Sequence, residues 1–233
     1  MTPRARATMI SHVDHACPRV PSPPMVGAVA YASCYVYSPA GTDPVSQRSR
    51  LLCSLLKAGD AEFLRRYALR VRQEADAHAV FAAFFGGDVL LIPVPGNAPR
   101  RAGSVPVAEQ LATAFIRCGL GTAAWPGLKR VFPVRKSATA PAFERPTVGN
   151  HYRSLAVECT DFNPQRILLL DDVVTKGRTL LAAASRVHHA FPGARIRAFA
   201  LLRTMGLVPE LARLVDPCVG QIRWRGGDAH RSP

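Results

Sequence analysis

Residues 167–184 read ILLLDDVVTKGRTLLAAA. Four apolar residues run into two adjacent carboxylates, a short loop carries Gly177 between two threonines, and a small-residue helix follows. A short apolar run bounded by polar turn residues reads as a buried strand, and strand, loop and helix in that order read as part of a βαβ unit. Side-by-side carboxylates repel one another, so a compensating partner is expected: a metal, a polyol or a fixed set of donors. In open parallel sheets ligands sit beyond the carboxyl ends of the strands, near helix amino termini. Asp171 and Asp172 fall at such a strand end, and the loop after them feeds the first turn of a helix, where unpaired N–H groups and the dipole attract an anion. Gly177 lets the backbone turn tightly, the Thr175 and Thr179 hydroxyls are donors, and Lys176 and Arg178 add positive charge. One segment thus offers carboxylates for hydroxyls or a metal beside a nest for a phosphate, and a sugar phosphate satisfies both.

The flanking sequence repeats the alternation. VLLIPVP (89–95) is a short apolar run suited to a central strand, Ser104 opens a helix to about Cys118, and LKRVFPV (128–134) reads as a further strand. LAVEC (155–159) and RILLL (166–170) are strands, residues 179–191 a helix ended by Pro192-Gly193, and RIRAFALLRT (195–204) the next strand. Upstream, residues 26–38 have the content of a strand or hairpin, Ser46 caps a helix to about Lys57, and Asp60 opens a helical stretch that continues to GGD at 86–88. GQIRWRGGDAHRSP at the carboxyl end reads as an edge strand and tail. Residues 135–154 are polar and broken by Pro141, Pro146 and Gly149, and a loop of that length inside a domain is usually functional or disordered. The expected fold is α/β, a parallel sheet flanked by helices in right-handed βαβ units, with a small N-terminal hood or extension. The expected organisation is a flexible leader over 1–25, a strand and helical extension over 26–87, and the α/β domain over 88–233.

The 233 residues carry Lys+Arg 30 against Asp+Glu 16, a net charge of +14. Lys57, Lys129, Lys136 and Lys176 are the lysines, so arginine supplies nearly all of the positive charge, and its fork suits phosphates and carboxylates. An arginine-rich composition alone accounts for such a balance; a phosphorylated partner, small molecule or nucleic acid, is the more specific reading. The six cysteines stand singly with no C-x-x-C pair, which offers no zinc site and fits a reducing cytosol. No apolar core follows the basic residues near the amino end, and the apolar stretch at 79–95 is broken by Gly86, Gly87 and Asp88. A cytoplasmic protein without a secretory signal or membrane span is expected.

No G-x-G-x-x-G follows a strand, and G-x-x-x-x-G-K-[ST] is absent, so dinucleotide and Walker-type sites lose their signatures. Two-component receiver domains also place acids after a strand, but near the domain start, whereas about 60 residues follow here. ILLLDDVVTKGRT resembles the phosphoribosyl pyrophosphate (PRPP) motif of type I phosphoribosyltransferases. The wider chain, roughly residues 46–204, is similar to the ComF-like branch: SRLLCSLLKAGD before a long helix, DVLLIPVP with arginines after it, and ERPTVGNHY ahead of the motif. A four-cysteine zinc module, frequent in that branch, has no counterpart among these cysteines. RRAGSVPVAEQ replaces the residues usual after PVP, Lys176 stands where a second threonine is common, and Thr175 stands where 6-oxopurine salvage enzymes carry an aspartate.

The resemblance implies a reaction: transfer of phosphoribosyl from PRPP to a nitrogenous base, with pyrophosphate released. It assigns Asp171 and Asp172 to the ribose hydroxyls as the catalytic pair. It assigns Val174, Thr175, Lys176, Gly177, Arg178 and Thr179 to the 5′-phosphate. Arg100 and Arg101 become candidates for pyrophosphate, and residues 135–154 for a lid that brings Arg135, Lys136 and Arg145 onto it. Mg²⁺ is the implied cofactor, held mainly through PRPP and water rather than by direct protein ligands. The implied partners are PRPP and a base, with nucleic acid as a further partner suggested by the charge, no membrane, and a homodimer. The alternative is a non-catalytic PRPP-sensing regulator or a DNA-handling, competence-type factor.

Overall fold

The computed structural model describes residues 24–135, 144–205 and 210–233. Most of the expected leader, and Lys136 with the first half of the expected lid, lie outside the described residues. The element order is β1 (Ala28–Tyr37), α1 (Pro44–Ala58), α2 (Ala61–Ala77), α3 (Ala79–Ala82), β2 (Val89–Pro93), α4 (Val107–Arg117), β3 (Ala123–Ala124) and β4 (Leu128–Arg130). It continues with α5 (Val148–Arg153), β5 (Leu155–Val157), β6 (Arg166–Val174), α6 (Arg178–Ala190), β7 (Arg195–Thr204), β8 (Val215–Arg225) and β9 (Asp228–Ser232).

Seven strands form one sheet in the order β3-β2-β6-β7-β1-β8-β9. The first five run parallel, and β8 and β9 add antiparallel strands at one side. The α/β expectation holds. Strand β6 explains why ILLL is apolar without alternation: a strand covered on both faces buries every residue. Leu168 and Leu170 pack with Leu52 and Leu56 of α1, Val71 of α2 and Phe115 of α4. Ile167 and Leu169 face the other way, against Val148 and Tyr152 of α5 and Leu181 and Val187 of α6. The segment set apart as an N-terminal extension contributes β1 between β7 and β8, and its helices α1 and α2 lie in the same core as α4.

Several local expectations change. Of the strand or hairpin expected over 26–38, residues 28–37 form the single strand. Asp43, not Ser46, caps α1; its carboxylate accepts the Val45 and Ser46 N–H groups at 2.9 Å, with Pro44 opening the helix. Asp60 caps α2 as expected, accepting the Phe63 N–H at 2.7 Å, but the helical stretch breaks at His78. β4 keeps only three residues and pairs with β5 in a separate two-stranded sheet. The polar stretch 135–154 contains a helix, α5, capped reciprocally: Thr147 Oγ1 accepts the Asn150 N–H at 3.1 Å and Asn150 Oδ1 accepts the Thr147 N–H at 3.0 Å. The carboxyl end folds as an inner strand, β8, and an edge strand, β9, instead of an edge strand and tail.

Because Leu169 is fully buried between β6 and α6, Leu169→Ala is expected to destabilise the protein by about 3 kcal/mol, the usual cost of a buried leucine cavity. Urea unfolding of the two proteins checks this, and a loss within error of zero would mean that face is not packed.

Candidate functional site

The connections of β2 and β6 diverge. From β2 the chain passes through α4 to β3 on the outer side; from β6 it passes through α6 to β7 on the inner side. The two helices lie on opposite faces. Neighbouring parallel strands whose connections diverge leave a crevice beyond their carboxyl ends, the usual ligand position in such sheets. The two strands also differ in length there. β2 ends at Pro93, opposite Leu170; the Val94 N–H donates to the Leu170 carbonyl at 2.8 Å, and β6 then runs on to Val174 beside β7 alone. Asp171 and Asp172 occupy that overhang.

At this strand end the two carboxylates lie side by side, close enough for each to feel the other. The strict alternation of Ile167 to Leu170 between the two cores breaks after them: Val173 joins the α2–α4 core and Val174 the α5/α6 side. Both aspartates are half-buried, and each carboxylate accepts the next backbone N–H: Asp172 N–H to Asp171 at 2.9 Å, Val173 N–H to Asp172 at 2.8 Å. Burial, and then the Asp172 charge, push the Asp171 carboxyl well above the usual carboxylate range; Arg130 opposes this.

The loop after the acids is built around Gly177, which caps α6 in a left-handed conformation, φ +84°. A Cβ there would lie 2.7 Å from Ile222 of β8, so glycine is required by both backbone and packing. No side chain caps α6, and the first rung inside the helix runs from the Leu181 N–H to the Gly177 carbonyl at 2.9 Å. The N–H groups before it have no partner within the helix, an arrangement whose partial positive charge suits an anion. Val174 is buried, Thr175 and Lys176 are exposed, and Thr179 is half-buried. Arg178 is engaged within the chain: its guanidinium donates to both carboxylate oxygens of Asp228 on β9, at 2.6 and 2.5 Å, and to the Pro146 carbonyl at 3.3 Å. Lys176 Nζ stands 3.9 Å from the same aspartate.

The expected pyrophosphate cations are spread more widely. Arg100 follows β2 as expected, but its guanidinium is held by Glu109 of α4 at 3.1 Å and by the Ser104 carbonyl at 2.9 Å. Arg101 is exposed in the same loop. Arg135 pairs with Glu144 across the lid segment. Arg145, exposed, sits just ahead of α5.

Two buried residues not assigned from the sequence come within electrostatic reach of the site: Arg130 of Asp171, and His151 of Arg130 and Arg178. Arg130 is buried, and among the described residues no carboxylate is bonded to it. Its Nε donates to the Gly96 carbonyl at 2.8 Å, Nη2 to Pro95 at 3.4 Å, and Nη1 to the Ser154 hydroxyl at 2.5 Å and the His151 carbonyl at 3.4 Å. It therefore joins the loop after β2 to the end of α5. Burial lowers its pKa to about 10, and Asp171 opposes the shift. The signal was present in LKR: Arg130 shares the inward side of β4 with Leu128. His151 is buried, and among the described residues neither ring nitrogen has a hydrogen-bond partner; burial, then Arg130 and Arg178, lower its pKa to about 4.

Among the described residues no group of three or more His, Cys, Asp or Glu is placed to hold a metal ion, and no helix is long and apolar enough to cross a membrane. Asp171 and Asp172 do fit a cation carried by a ligand: they are hard oxygen donors whose mutual repulsion such a charge relieves. None of the known family models matches the chain, and no curated protein matches it. Among solved structures it is similar to a hypoxanthine phosphoribosyltransferase from Staphylococcus aureus, with 8% identity and a TM-score of 0.35 over 64% of this chain and 70% of that one. At that level the functional reading rests on the site itself.

The raised Asp171 carboxyl has a consequence for stability. Above the ordinary carboxylate range the folded protein retains a proton that the unfolded chain has released, so folding stability declines as pH rises until Asp171 ionises in the fold. Asp171→Asn is expected to remove that decline and to raise the unfolding temperature at neutral pH. Thermal unfolding of both proteins across pH checks it; parallel curves would contradict the assignment.

Proposed function

We propose that the β2/β6 crevice binds PRPP with Mg²⁺ and that the protein transfers the phosphoribosyl group to a nitrogenous base, releasing pyrophosphate. The observation that carries this reading is the overhang of β6, which presents two carboxylates and a glycine-started helix to one crevice. Asp171 and Asp172 accept the ribose 2′ and 3′ hydroxyls. The N–H groups of 175–180, with the Thr175 and Thr179 hydroxyls, hold the 5′-phosphate. Arg178 and Lys176 bring charge to that loop while tied to Asp228. The backbone after β2, fixed by Arg130, lies where the pyrophosphate leaves, with Arg100 and Arg101 in the same loop.

The chemistry asks little covalent help from the protein. The bond from C1′ to the pyrophosphate oxygen breaks, a nitrogen of the base bonds to C1′, and the nitrogen's proton departs. Positive charge builds on the ribose ring in between, so holding the reactants in line and stabilising the leaving oxygens are the main tasks. Bound Mg²⁺ would supply charge neutralisation at the pyrophosphate. Residues 144–154, anchored through Arg130 and α5, supply the fixed end of a lid that excludes water.

A second reading, a PRPP-binding regulator without turnover, is favoured by the pairing of Arg100 with Glu109 and of Arg178 with Asp228, which neutralises phosphate-loop cations within the chain.

Isothermal titration with Mg-PRPP is expected to show binding by the parent protein and a loss of affinity of tenfold or more in Asp171→Asn/Asp172→Asn, given about 1.5–3 kcal/mol for each hydrogen bond to a charged group. Unchanged affinity would place the ligand elsewhere. Pyrophosphate release across a panel of bases separates transfer from binding alone.

A further inference from the structure

The amino ends of the strands carry a second chemical feature, unrelated to the crevice. Ala30 of β1 pairs with Arg197 of β7 on one side and Gln221 of β8 on the other. One pleat nearer the amino ends, Arg195 pairs with Arg166, while Arg223 pairs with Ala28 and with His230. Residues opposite one another in a ladder share a face, as do alternate residues along a strand. Arg166, Arg195, Arg197, Arg223, Arg225 and His230 therefore belong to one face of the sheet, the face on which Phe199 meets the α2–α4 core. The row from β6 to β9 spans four strand spacings, about 19 Å.

The arginines on this face are short of anions. Arg195, Arg223, Arg225 and His230 are exposed. Asp88 pairs with Arg166 at 2.6 Å, and Asp228, the carboxylate nearest Arg225 in the ladder, is engaged by Arg178. Among the described residues, Arg195, Arg223 and Arg225 have no carboxylate partner. Arg197 lies over the Phe84 ring at 4.9 Å, and its charge is disfavoured by burial and by Arg195 and Arg166. Like charges aligned on one surface without counter-charges repel, and a polyanion relieves that strain.

We propose that this arginine face docks the phosphate backbone of a nucleic-acid duplex. Charge complementarity identifies the partner, and the lack of a stacking platform selects the duplex over a single strand. No exposed large apolar side chain lies on β7, β8 or β9, and Trp224 packs into the opposite face. Single-strand sites pair positive grooves with exposed aromatic rings, whereas phosphate contacts alone give duplex binding without sequence preference. The unpaired arginines stand on β7 and β8, two strand spacings or about 10 Å apart, close to the width of about 12 Å of a major groove. Arg166 and Arg195 sit at the amino ends of β6 and β7, away from the crevice at their carboxyl ends, whereas Arg223 and Arg225 lie on the β8–β9 hairpin whose Asp228 engages Arg178.

The test is fluorescence anisotropy of the full chain with a labelled mixed-sequence duplex across a salt series. The triple variant Arg195→Glu/Arg223→Glu/Arg225→Glu is compared with Arg48→Glu/Arg65→Glu/Arg117→Glu, which changes the net charge equally on α1, α2 and α4. The parent protein should bind at low salt with a steep slope of log affinity against log salt. The sheet variant should lose about three units of that slope, near 0.9 per phosphate contact, and the helix variant should keep it. Both variants should retain the parent's thermal unfolding. Absence of duplex binding at low salt, equal losses in the two variants, or tighter binding of a single strand of the same sequence would each overturn the proposal.

Discussion

The Val94 N–H meets the Leu170 carbonyl at 2.8 Å, and with that bond β6 loses its partner on one side. Everything proposed for the site depends on this ending. Up to Leu170, β6 is a buried strand held between β2 and β7, and its side chains have no choice but to be apolar. Beyond Leu170 the same strand is held on one side alone, and the space beside it is bounded by the loop from β2 and by the turn into α6. Carboxylates are tolerable there because they reach solvent or a ligand; one residue earlier they would be buried charges without partners. The divergence of the β2 and β6 connections keeps that space from being filled by a crossover helix.

A second constraint holds the crevice in shape. Arg130 carries a charge into the protein interior with carbonyls and one hydroxyl as its partners, an arrangement that favours its neutral form more than an exposed arginine would experience. What it supports is geometric: the loop after β2 and the end of α5 are brought to one guanidinium, whose charge Asp171 favours. His151 lies buried behind it as a neutral imidazole, kept so by burial and then by Arg130 and Arg178. Across the crevice, Asp228 fixes Arg178 and approaches Lys176, so the antiparallel β8–β9 hairpin, packed through Ile222 against Gly177, acts as a brace for the phosphate loop.

The parts legible in the sequence were those whose physics is local. An apolar run, two acids, a glycine and a small-residue helix announced β6 and α6, because burial on both faces and a left-handed cap leave direct marks. Asp60 was readable as a cap for α2. The misreadings arose where two local signals competed or where partners were distant. Asp43-Pro44 outranks Ser46 because proline suits the first helical position. Pro146 and Gly149 masked α5, although Thr147 and Asn150 form its capping box and Val148, His151 and Tyr152 share its buried side. The place of β1 inside the sheet, the brace from Asp228 and the partners of Arg100 depend on contacts over long sequence separations, which no pattern within a window reports. The arginine face was visible only as net charge; the strand register turns it into a surface.

The most direct measurement is amide hydrogen exchange with and without saturating Mg-PRPP. The account predicts slowed exchange concentrated in the N–H groups of residues 175–180 and the loop after β2, with little change at the amino ends of β6 and β7. Saturating ligand that leaves the exchange of 175–180 unchanged would contradict the assignment of this crevice as the sugar-phosphate site.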